Sequence, residues 1–373
     1  MRDRYADLPN EIKQAHFDKL NMYKEELRHS PELKSLFIEM TIQCNEHCRH
    51  CGSKCEYTNG EKPLTDNEII QCMIQLKKDL YSRGKRLPFL NITGGEPLLR
   101  PGMIELMKTI NMLGYKWGMT SNGTLITPEV AKQLKEAGIY SIGLSLDGTK
   151  YTHDWFRQTP GGYDKAIAAT KNCIEAGIES VMITTVVHKR NINELDELYT
   201  IVKDTGCKLW RIINVDPIGR ALGNEEILLN KEELQTMIKY IVEHQSDDAE
   251  ALDIVYSCNH YMGLDYERKI RPWYFACRAG VSVASIQYNG NISACLDIER
   301  RPELTYGNIR TDNLYHNWIT KFDIFRKDKS LESNKCKDCK ERENCQGSGY
   351  HTWDFDKNEP KICMFNIINE EGQ

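Results

Sequence analysis

Three closely spaced cysteines are the residues of this sequence best suited to chemistry. Cys44, Cys48 and Cys51 form Cys-x3-Cys-x2-Cys within TIQCNEHCRHC, and the segment GGEP follows at residues 94–97, after the apolar run RLPFLNIT. Three thiolates can bind three irons of a [4Fe–4S] cluster, for which four cysteine ligands are usual. The triplet therefore predicts a cluster whose fourth iron is open to a ligand that is not cysteine.

A zinc site is the alternative for these three cysteines. A structural zinc ion normally has four protein ligands, and Cys55, His47 and His50 are the nearby residues that can provide the fourth. Zinc explains neither the GGEP segment nor the second group of cysteines near the carboxyl terminus. We therefore favour iron.

The composition supports metal or redox chemistry inside the cell. There are 14 cysteines in 373 residues, and the first twenty residues are charged and lack the apolar region of a signal peptide. No apolar run approaches the roughly 18 residues of a membrane span. Many cysteines without an export signal favour a cytoplasmic metalloprotein over a disulfide framework. The net charge of −5 and the pI near 6.1 argue against a general nucleic-acid-binding protein.

Apolar runs alternate with amphipathic stretches from residue 35 onward. Six runs are typical of strands: SLFIEMTIQ, LPFLNIT, YKWGMTSN, YSIGLSLDG, ESVMITTVVH and KLWRIINV. Stretches with helical spacing separate them, at residues 65–83, 103–113, 128–137, 163–176 and 194–205. This alternation is typical of parallel βαβ units and predicts an α/β fold with a partial (β/α)6 TIM-like barrel. The expected domains are a helical N-terminal extension at 1–34, the barrel at 35–235, and a cysteine-rich C-terminal domain at 250–373.

Polar residues and glycines follow four successive strands of this predicted barrel. Cys44 follows the first strand and residues 94–96 end the second, while Ser121-Asn122 and Ser145 end the third and fourth. Barrels of this kind carry their chemistry at the carboxyl ends of the strands. Each of these segments alone is typical of a turn, but four in succession beside the cysteines favour a single ligand pocket.

The cysteine triplet together with GGEP resembles the radical S-adenosylmethionine (SAM) enzymes. The resemblance implies that the amino and carboxylate groups of SAM chelate the open iron. It also implies that the reduced cluster cleaves SAM to a 5′-deoxyadenosyl radical, which removes a hydrogen atom from the substrate. The residues that it assigns to SAM binding are Gly94, Gly95, Glu96, Ser121, Asn122, Ser145 and Arg157. A surface ion pair is the alternative for Arg157.

The C-terminal cysteines resemble the SPASM domain, an extension of radical SAM enzymes that binds two auxiliary iron–sulfur clusters. The spacing that carries the resemblance runs from Cys277 through Gly290 and Cys295 to Cys-x2-Cys-x5-Cys at residues 336–345. The resemblance implies [4Fe–4S] clusters, one that binds SAM and one or two that are auxiliary. It assigns the outer auxiliary cluster to Cys336, Cys339, Cys345 and Cys363.

The sequence departs from this pattern at Gly349, where the pattern has a cysteine ligand of the inner auxiliary cluster. Cys277 and Cys295 remain as ligands, and Cys258 is a predicted third, for which a buried apolar cysteine is the alternative.

The fourth inner ligand is absent or is not cysteine, and the candidates are His260 and His351. The other possibilities are an open iron that binds substrate, a [2Fe–2S] cluster or no inner cluster. The remaining cysteines, Cys55, Cys72, Cys173 and Cys207, have no metal-binding spacing and are interpreted as structural.

The SPASM resemblance favours a peptide or protein substrate. The leading hypothesis is a maturase that oxidises or cross-links a side chain of a ribosomally made peptide, held along a strand edge that a six-stranded barrel leaves exposed. The alternatives are an anaerobic sulfatase maturase, which makes formylglycine, a small-molecule dehydrogenase or epimerase, and a non-catalytic iron–sulfur sensor. No residue is identified as a catalytic acid, base or hydrogen donor.

The expected partners are the substrate and an electron donor such as flavodoxin or ferredoxin. Residues 1–34 are few for a leader-peptide domain, so a separate leader-binding protein is a further expected partner. Neither a nucleic acid nor a membrane is expected.

Overall fold

A nine-stranded sheet forms the centre of the protein. The computed structural model describes residues 8–53, 55, 60–244, 251–256, 259–271 and 274–369. The strand order is β7-β6-β5-β4-β3-β2-β1-β8-β9. The strands are β1 Ser35–Glu39, β2 Phe89–Thr93, β3 Trp117–Ser121, β4 Ile139–Ser145, β5 Ser180–Val187, β6 Leu209–Asn214, β7 Asp253–Tyr256, β8 Val283–Ile286 and β9 Ile292–Ser293. A separate antiparallel pair joins β10 Trp353–Asp354 to β11 Glu359–Pro360.

Helices follow the barrel strands in the predicted alternation. They are α1 Asn10–His29, α2 Asp66–Tyr81, α3 Met103–Met112, α4 Pro128–Glu136, α5 Lys150–Arg157, α6 Gly162–Glu175, α7 Leu195–Asp204, α8 Lys231–Glu243, α9 Leu264–Ile270, α10 Leu314–Lys321, α11 Arg342–Cys345 and α12 Met364–Asn369. Short 3-10 turns lie at Pro97–Leu99, Ile192–Glu194, Gly219–Ala221, Pro302–Leu304, Asp323–Arg326, Lys329–Glu332 and Tyr350–Thr352. The α/β fold is therefore confirmed, and α5 is a helix that the sequence pattern does not predict.

Local sequence signals explain where several of these elements begin. At the start of α2, the Thr65 hydroxyl accepts a hydrogen bond from the Glu68 amide, and the Glu68 carboxylate accepts one from the Thr65 amide 2.7 Å away. Asn230 and Glu233 form the same reciprocal capping box at the start of α8. Such boxes satisfy two of the amide groups that a helix leaves unpaired at its amino terminus.

The six predicted strands are present and parallel, and three further strands extend the sheet. β7 pairs with β6, and β8 pairs in parallel with β1, so that part of the C-terminal region joins the barrel sheet. β9 forms an antiparallel hairpin with β8. These strands have two to four residues, too few for a periodicity to be recognised in the sequence.

The edges expected to be exposed in a six-stranded barrel are covered, because β8 pairs with β1 and β7 pairs with β6. The new edge at β9 is covered as well. The Ile292 amide donates to the Gly307 carbonyl oxygen at 2.9 Å, and the Tyr306 amide donates to the Ile292 carbonyl oxygen at 2.8 Å. A peptide therefore cannot add to the sheet beside β9 without displacing these bonds.

The N-terminal helix packs against the C-terminal region rather than against the barrel alone. Phe17 is fully buried, with its ring centroid 4.3 Å from that of Tyr274 and 5.7 Å from that of Tyr261. Lys13 forms an ion pair with Asp265 at 3.0 Å. Within the described ranges, none of the helices has the length and apolarity that crossing a membrane requires.

Candidate active site and metal centres

The glycines of GGEP bring two backbone segments into direct contact. The Gly95 amide donates to the Thr41 carbonyl oxygen and the Glu96 amide to the Gln43 carbonyl oxygen, both at 2.8 Å. A Cβ at Gly95 would lie 2.0 Å from the Gln43 oxygen, and one at Gly94, where φ is +145°, would lie 2.2 Å from the Thr41 oxygen. Glycine is therefore required because this segment is bonded to the residues that immediately precede Cys44.

The Glu96 side chain joins the end of β2 to the end of β3. It is fully buried, and its oxygens accept hydrogen bonds from the Ser121 hydroxyl and the Asn122 amide, each at 2.9 Å. Burial raises the pKa of Glu96 to about 7. The side-chain amide of Asn122 in turn donates to Asn45 at 2.8 Å. Asn45 belongs to the loop that carries Cys44, Cys48 and Cys51, which we call the cysteine loop. These contacts position the strand ends, and the SAM contacts that the resemblance implies for these residues stay predictions.

Arg157, at the end of α5, forms a buried ion pair instead of the alternative surface pair. Its Nε donates to Asp147 and its Nη1 to Glu46, each at 2.7 Å. Burial alone would raise the pKa of Asp147, but the Arg157 guanidinium and nearby histidines outweigh it and lower that pKa. Arg157 thus connects the end of β4 to the loop between Cys44 and Cys48. Ser145, at the end of β4, is half-buried. Its role and that of Arg157 in SAM binding stay predictions.

Helix α5 also holds the cysteine loop through its backbone and an aromatic ring. The Arg49 amide donates to the Phe156 carbonyl oxygen at 2.9 Å. The His50 ring stacks on the Phe156 ring, with centroids 4.4 Å apart and planes 2° from parallel. Burial lowers the pKa of His50 to about 4, which keeps the imidazole neutral. Its Nδ1 and the Glu46 Oε1 are buried without a hydrogen-bond partner among the described residues.

The cysteine triplet is suited to binding a cationic cluster. Burial raises the pKa of the Cys48 thiol to about 12, so its thiolate needs a bound cation. The Cys51 and Cys55 sulfurs are 3.7 Å apart, a contact that the spacing does not predict. Three thiols on one loop, beside the unpartnered Glu46 and His50 atoms, fit a [4Fe–4S] cluster and its SAM.

The four outer-cluster cysteines lie around one cavity. Its volume is about 320 Å³, and its lining includes Cys336, Cys339, Cys345 and Cys363. Sulfur donors from four positions around an enclosed space fit the outer cluster that the SPASM resemblance implies.

The inner set is less complete in the described part of the chain. Cys277 lines a small cavity that also contains Cys345, and Lys329 lines the same cavity. Lys329 donates to the Ser348 carbonyl oxygen at 2.7 Å, and burial lowers its pKa to about 8. Cys258 lies outside the described residues.

The sequence analysis does not single out three side chains that lie near the cysteine sets or the candidate histidine ligands. They are Glu46, Lys329 and Asp216, of which Asp216 contacts both His260 and His351. Asp216 follows the carboxyl end of β6 after Val215. A polar residue after a strand is the pattern that identifies Ser121 and Ser145, so the same pattern could have identified Asp216. Nothing in the spacing identifies Lys329.

Replacing Cys44, Cys48 and Cys51 together by alanine should abolish reductive cleavage of SAM, because this triplet directly follows the segment that is bonded to GGEP. The auxiliary-cluster absorbance should remain. Chromatography of 5′-deoxyadenosine measures the first effect and visible spectroscopy the second. The matched control replaces Cys336, Cys339 and Cys345, which should remove outer-cluster absorbance and leave SAM cleavage. Production of 5′-deoxyadenosine by the first variant would show that the radical cluster is assigned to the wrong cysteines.

Glu96→Ala should weaken SAM binding about 10–100-fold without loss of iron, because a hydrogen bond to a charged group is worth about 1.5–3 kcal/mol. The variant releases Ser121 and Asn122, which the carboxylate holds in place. Calorimetry under anaerobic conditions measures the affinity, and Glu105→Ala, an exposed glutamate on α3, is the control. An unchanged affinity in Glu96→Ala would limit this residue to a structural role.

Comparisons with known proteins identify two domains in the chain. Residues 38–202 match the Radical SAM superfamily and residues 277–340 match the SPASM iron–sulfur cluster-binding domain. The chain is 26% identical to the AdoMet-dependent heme synthase of Nitratidesulfovibrio vulgaris, over 85% of this chain and 88% of that one. It is 29% identical to the mycofactocin maturase MftC of Mycobacterium tuberculosis, over 83% of this chain and 76% of that one.

Among solved structures, Streptococcus suis SuiB bound to its precursor peptide SuiA is similar in fold, with a TM-score of 0.70 and 19% identity. The likeness covers 94% of this chain and 79% of SuiB. The two matched domains imply that the protein binds [4Fe–4S] clusters and SAM, as the cysteine spacing predicts. The chain is therefore a radical SAM enzyme with a C-terminal SPASM domain.

Proposed function

We propose that this enzyme oxidises or cross-links a side chain of a peptide. The observation that carries the proposal is a cavity of about 290 Å³ between the cysteine loop, the loop after β6 and the C-terminal region. Its lining includes Gly52, Ser53, Gly219, Leu222, Arg300, His351 and Lys361. A group in this cavity lies beside both the cysteine loop and the C-terminal SPASM domain.

The size of the cavity supports a side chain as the reacting group. Pockets that enclose drug-sized molecules have volumes of roughly 300–1,000 Å³, so this one is at the lower limit. One amino-acid side chain fits such a space, while the peptide backbone would remain outside it. Since β9 is covered by Tyr306 and Gly307, the peptide would approach from the cavity mouth and not by extending the sheet there.

The chain's own residues would position the reaction. When bound, the reduced cluster and SAM supply the 5′-deoxyadenosyl radical that removes a hydrogen atom. Arg157 and Glu96 fix the position of the cysteine loop and of the neighbouring strand ends. A fixed geometry of this kind lowers the entropy cost of bringing the reacting groups together. Leu222, which is 66% exposed, lies at the cavity lining and can contact a substrate.

A tetrapyrrole is the second candidate substrate. The likeness to the heme synthases extends over most of both chains, which favours it. A flat macrocycle needs more room than about 290 Å³, so this candidate requires the cavity to widen. The likeness to MftC and the SuiB fold support the peptide.

With SAM, a reductant and the peptide encoded beside its gene, the enzyme should give a product two hydrogen atoms lighter than the substrate. Mass spectrometry after anaerobic incubation measures this, with 5′-deoxyadenosine formed in proportion. An iron porphyrin that carries propionate groups is incubated with the enzyme under the same conditions as the second candidate substrate. Turnover of the porphyrin and not of the peptide would contradict the proposal. An unchanged peptide mass with solvent deuterium at Cα would indicate epimerisation instead.

Leu222→Trp provides a sharper test of the cavity. The larger side chain should lower kcat/KM for the peptide about tenfold or more, while SAM cleavage without substrate continues. Met112→Trp is the control and should not change kcat/KM, because Met112 is also exposed but lies at the end of α3, away from the cavity. An equal kcat/KM for the peptide in the two variants would show that the substrate binds outside this cavity.

A further inference from the structure

The backbone conformation at residue 349 does not require glycine. Its φ of −73° and ψ of 144° are available to any residue. A Cβ at this position, however, would lie 2.5 Å from Cε1 and 2.6 Å from Nδ1 of His351, and 2.9 Å from the Asn259 carbonyl oxygen. The His351 imidazole therefore occupies the space into which a cysteine at 349 would project.

A buried carboxylate fixes the orientation of this imidazole. The Nε2 of His351 is 3.2 Å from Asp216 Oδ2, and the Nε2 of His260 is 2.9 Å from Asp216 Oδ1. Asn214 donates to Asp216 Oδ1 at 2.7 Å, and the Tyr256 hydroxyl donates to Asn214. The carboxylate thus has several donors and little freedom to rotate.

The hydrogen bond between His351 Nε2 and Asp216 determines which nitrogen of His351 carries the proton. An ionised carboxylate only accepts hydrogen bonds, so the proton is on Nε2 and the lone pair is on Nδ1. Histidines that bind metals characteristically donate their other ring N–H to a carboxylate or a carbonyl group. His351 therefore has the tautomer of a ligand that binds through Nδ1, the atom next to the space at Gly349.

The segment at residues 348–351 lines cavities beside both segments that carry the inner cysteines. His351 lines the 290 Å³ cavity together with Leu296 and Asp297, which directly follow Cys295. Ser348 and Tyr350, on either side of Gly349, line the smaller cavity that contains Cys277.

We propose that His351 binds an iron of the inner auxiliary cluster through Nδ1, in place of the missing cysteine and together with Cys277 and Cys295. Asp216 is its positioning residue, and His260 helps to hold Asp216. The proposal rests on the SPASM domain and not on the identity of the substrate. A neutral imidazole in place of a thiolate removes one negative charge from the cluster, which makes the cluster easier to reduce, as in Rieske centres.

Nitrogen ligation can be measured directly by pulsed electron paramagnetic resonance. The chain used has Cys44, Cys48 and Cys51 replaced by alanine, so that neither the radical cluster nor the SAM nitrogen contributes. Protein labelled with ¹⁵N in the histidine ring should show an altered nitrogen modulation on the reduced inner cluster. His351→Ala should remove that modulation and about one cluster's iron, while His316→Ala, at an exposed histidine on α10, should change neither.

The ligand can also be exchanged within the same site. The double variant Gly349→Cys with His351→Ala should regain the lost iron, show no histidine modulation and have a lower reduction potential than the wild type. This variant also distinguishes a lost ligand from misfolding. Asp216→Asn should lower the affinity of the inner site for iron about 10–100-fold, the usual effect of removing such a partner.

Two results would overturn the proposal. One is an inner-cluster signal that is insensitive to histidine labelling, with full iron retained in His351→Ala. The other is a zinc ion held by Asp216, His260 and His351 while the inner cluster remains intact, since these three residues lie close enough to bind one ion.

Discussion

The active site depends on one buried guanidinium. Arg157 bridges Asp147, at the end of β4, and Glu46, inside the cysteine triplet, with both contacts at 2.7 Å. Without Arg157 the Asp147 and Glu46 carboxylates would both be buried without a cationic partner, and breaking such a buried pair costs about 3–5 kcal/mol. Since Glu46 lies between Cys44 and Cys48, the same interaction fixes the loop that binds the radical cluster relative to the barrel.

The other side of the loop is held by close backbone contact. Gly94 and Gly95 approach residues 41–43 at distances that any side chain would prevent, and Glu96 extends this support to β3. The cysteine loop is thus attached to β2 and β4 by two different means, one steric and one electrostatic. Such double attachment suits a site whose reactive species must be kept at a fixed distance from its substrate.

The sequence predicts the parallel strands and the two matched domains well, because apolar runs and cysteine spacing are local patterns. Each of the six predicted strands is a largely apolar run, and most of the cysteines in the three sets follow a recognisable spacing. It does not predict β7 to β9, which are too short to show a period and depend on pairing with β6 and β1. Nor does it show that Arg157 and Glu96 bind protein groups, since those partners come from distant positions in the chain. The position of His351 at Gly349 is likewise a tertiary contact between residues whose spacing carries no signal.

The central claim is that the cysteine sets bind iron–sulfur clusters, and iron, sulfide and zinc per chain measure it most directly. After anaerobic reconstitution, the wild-type protein should contain about 8–12 Fe, equivalent to two or three [4Fe–4S] clusters, with equal sulfide and almost no zinc. A colourless protein with little iron and one or more zinc ions would contradict the account.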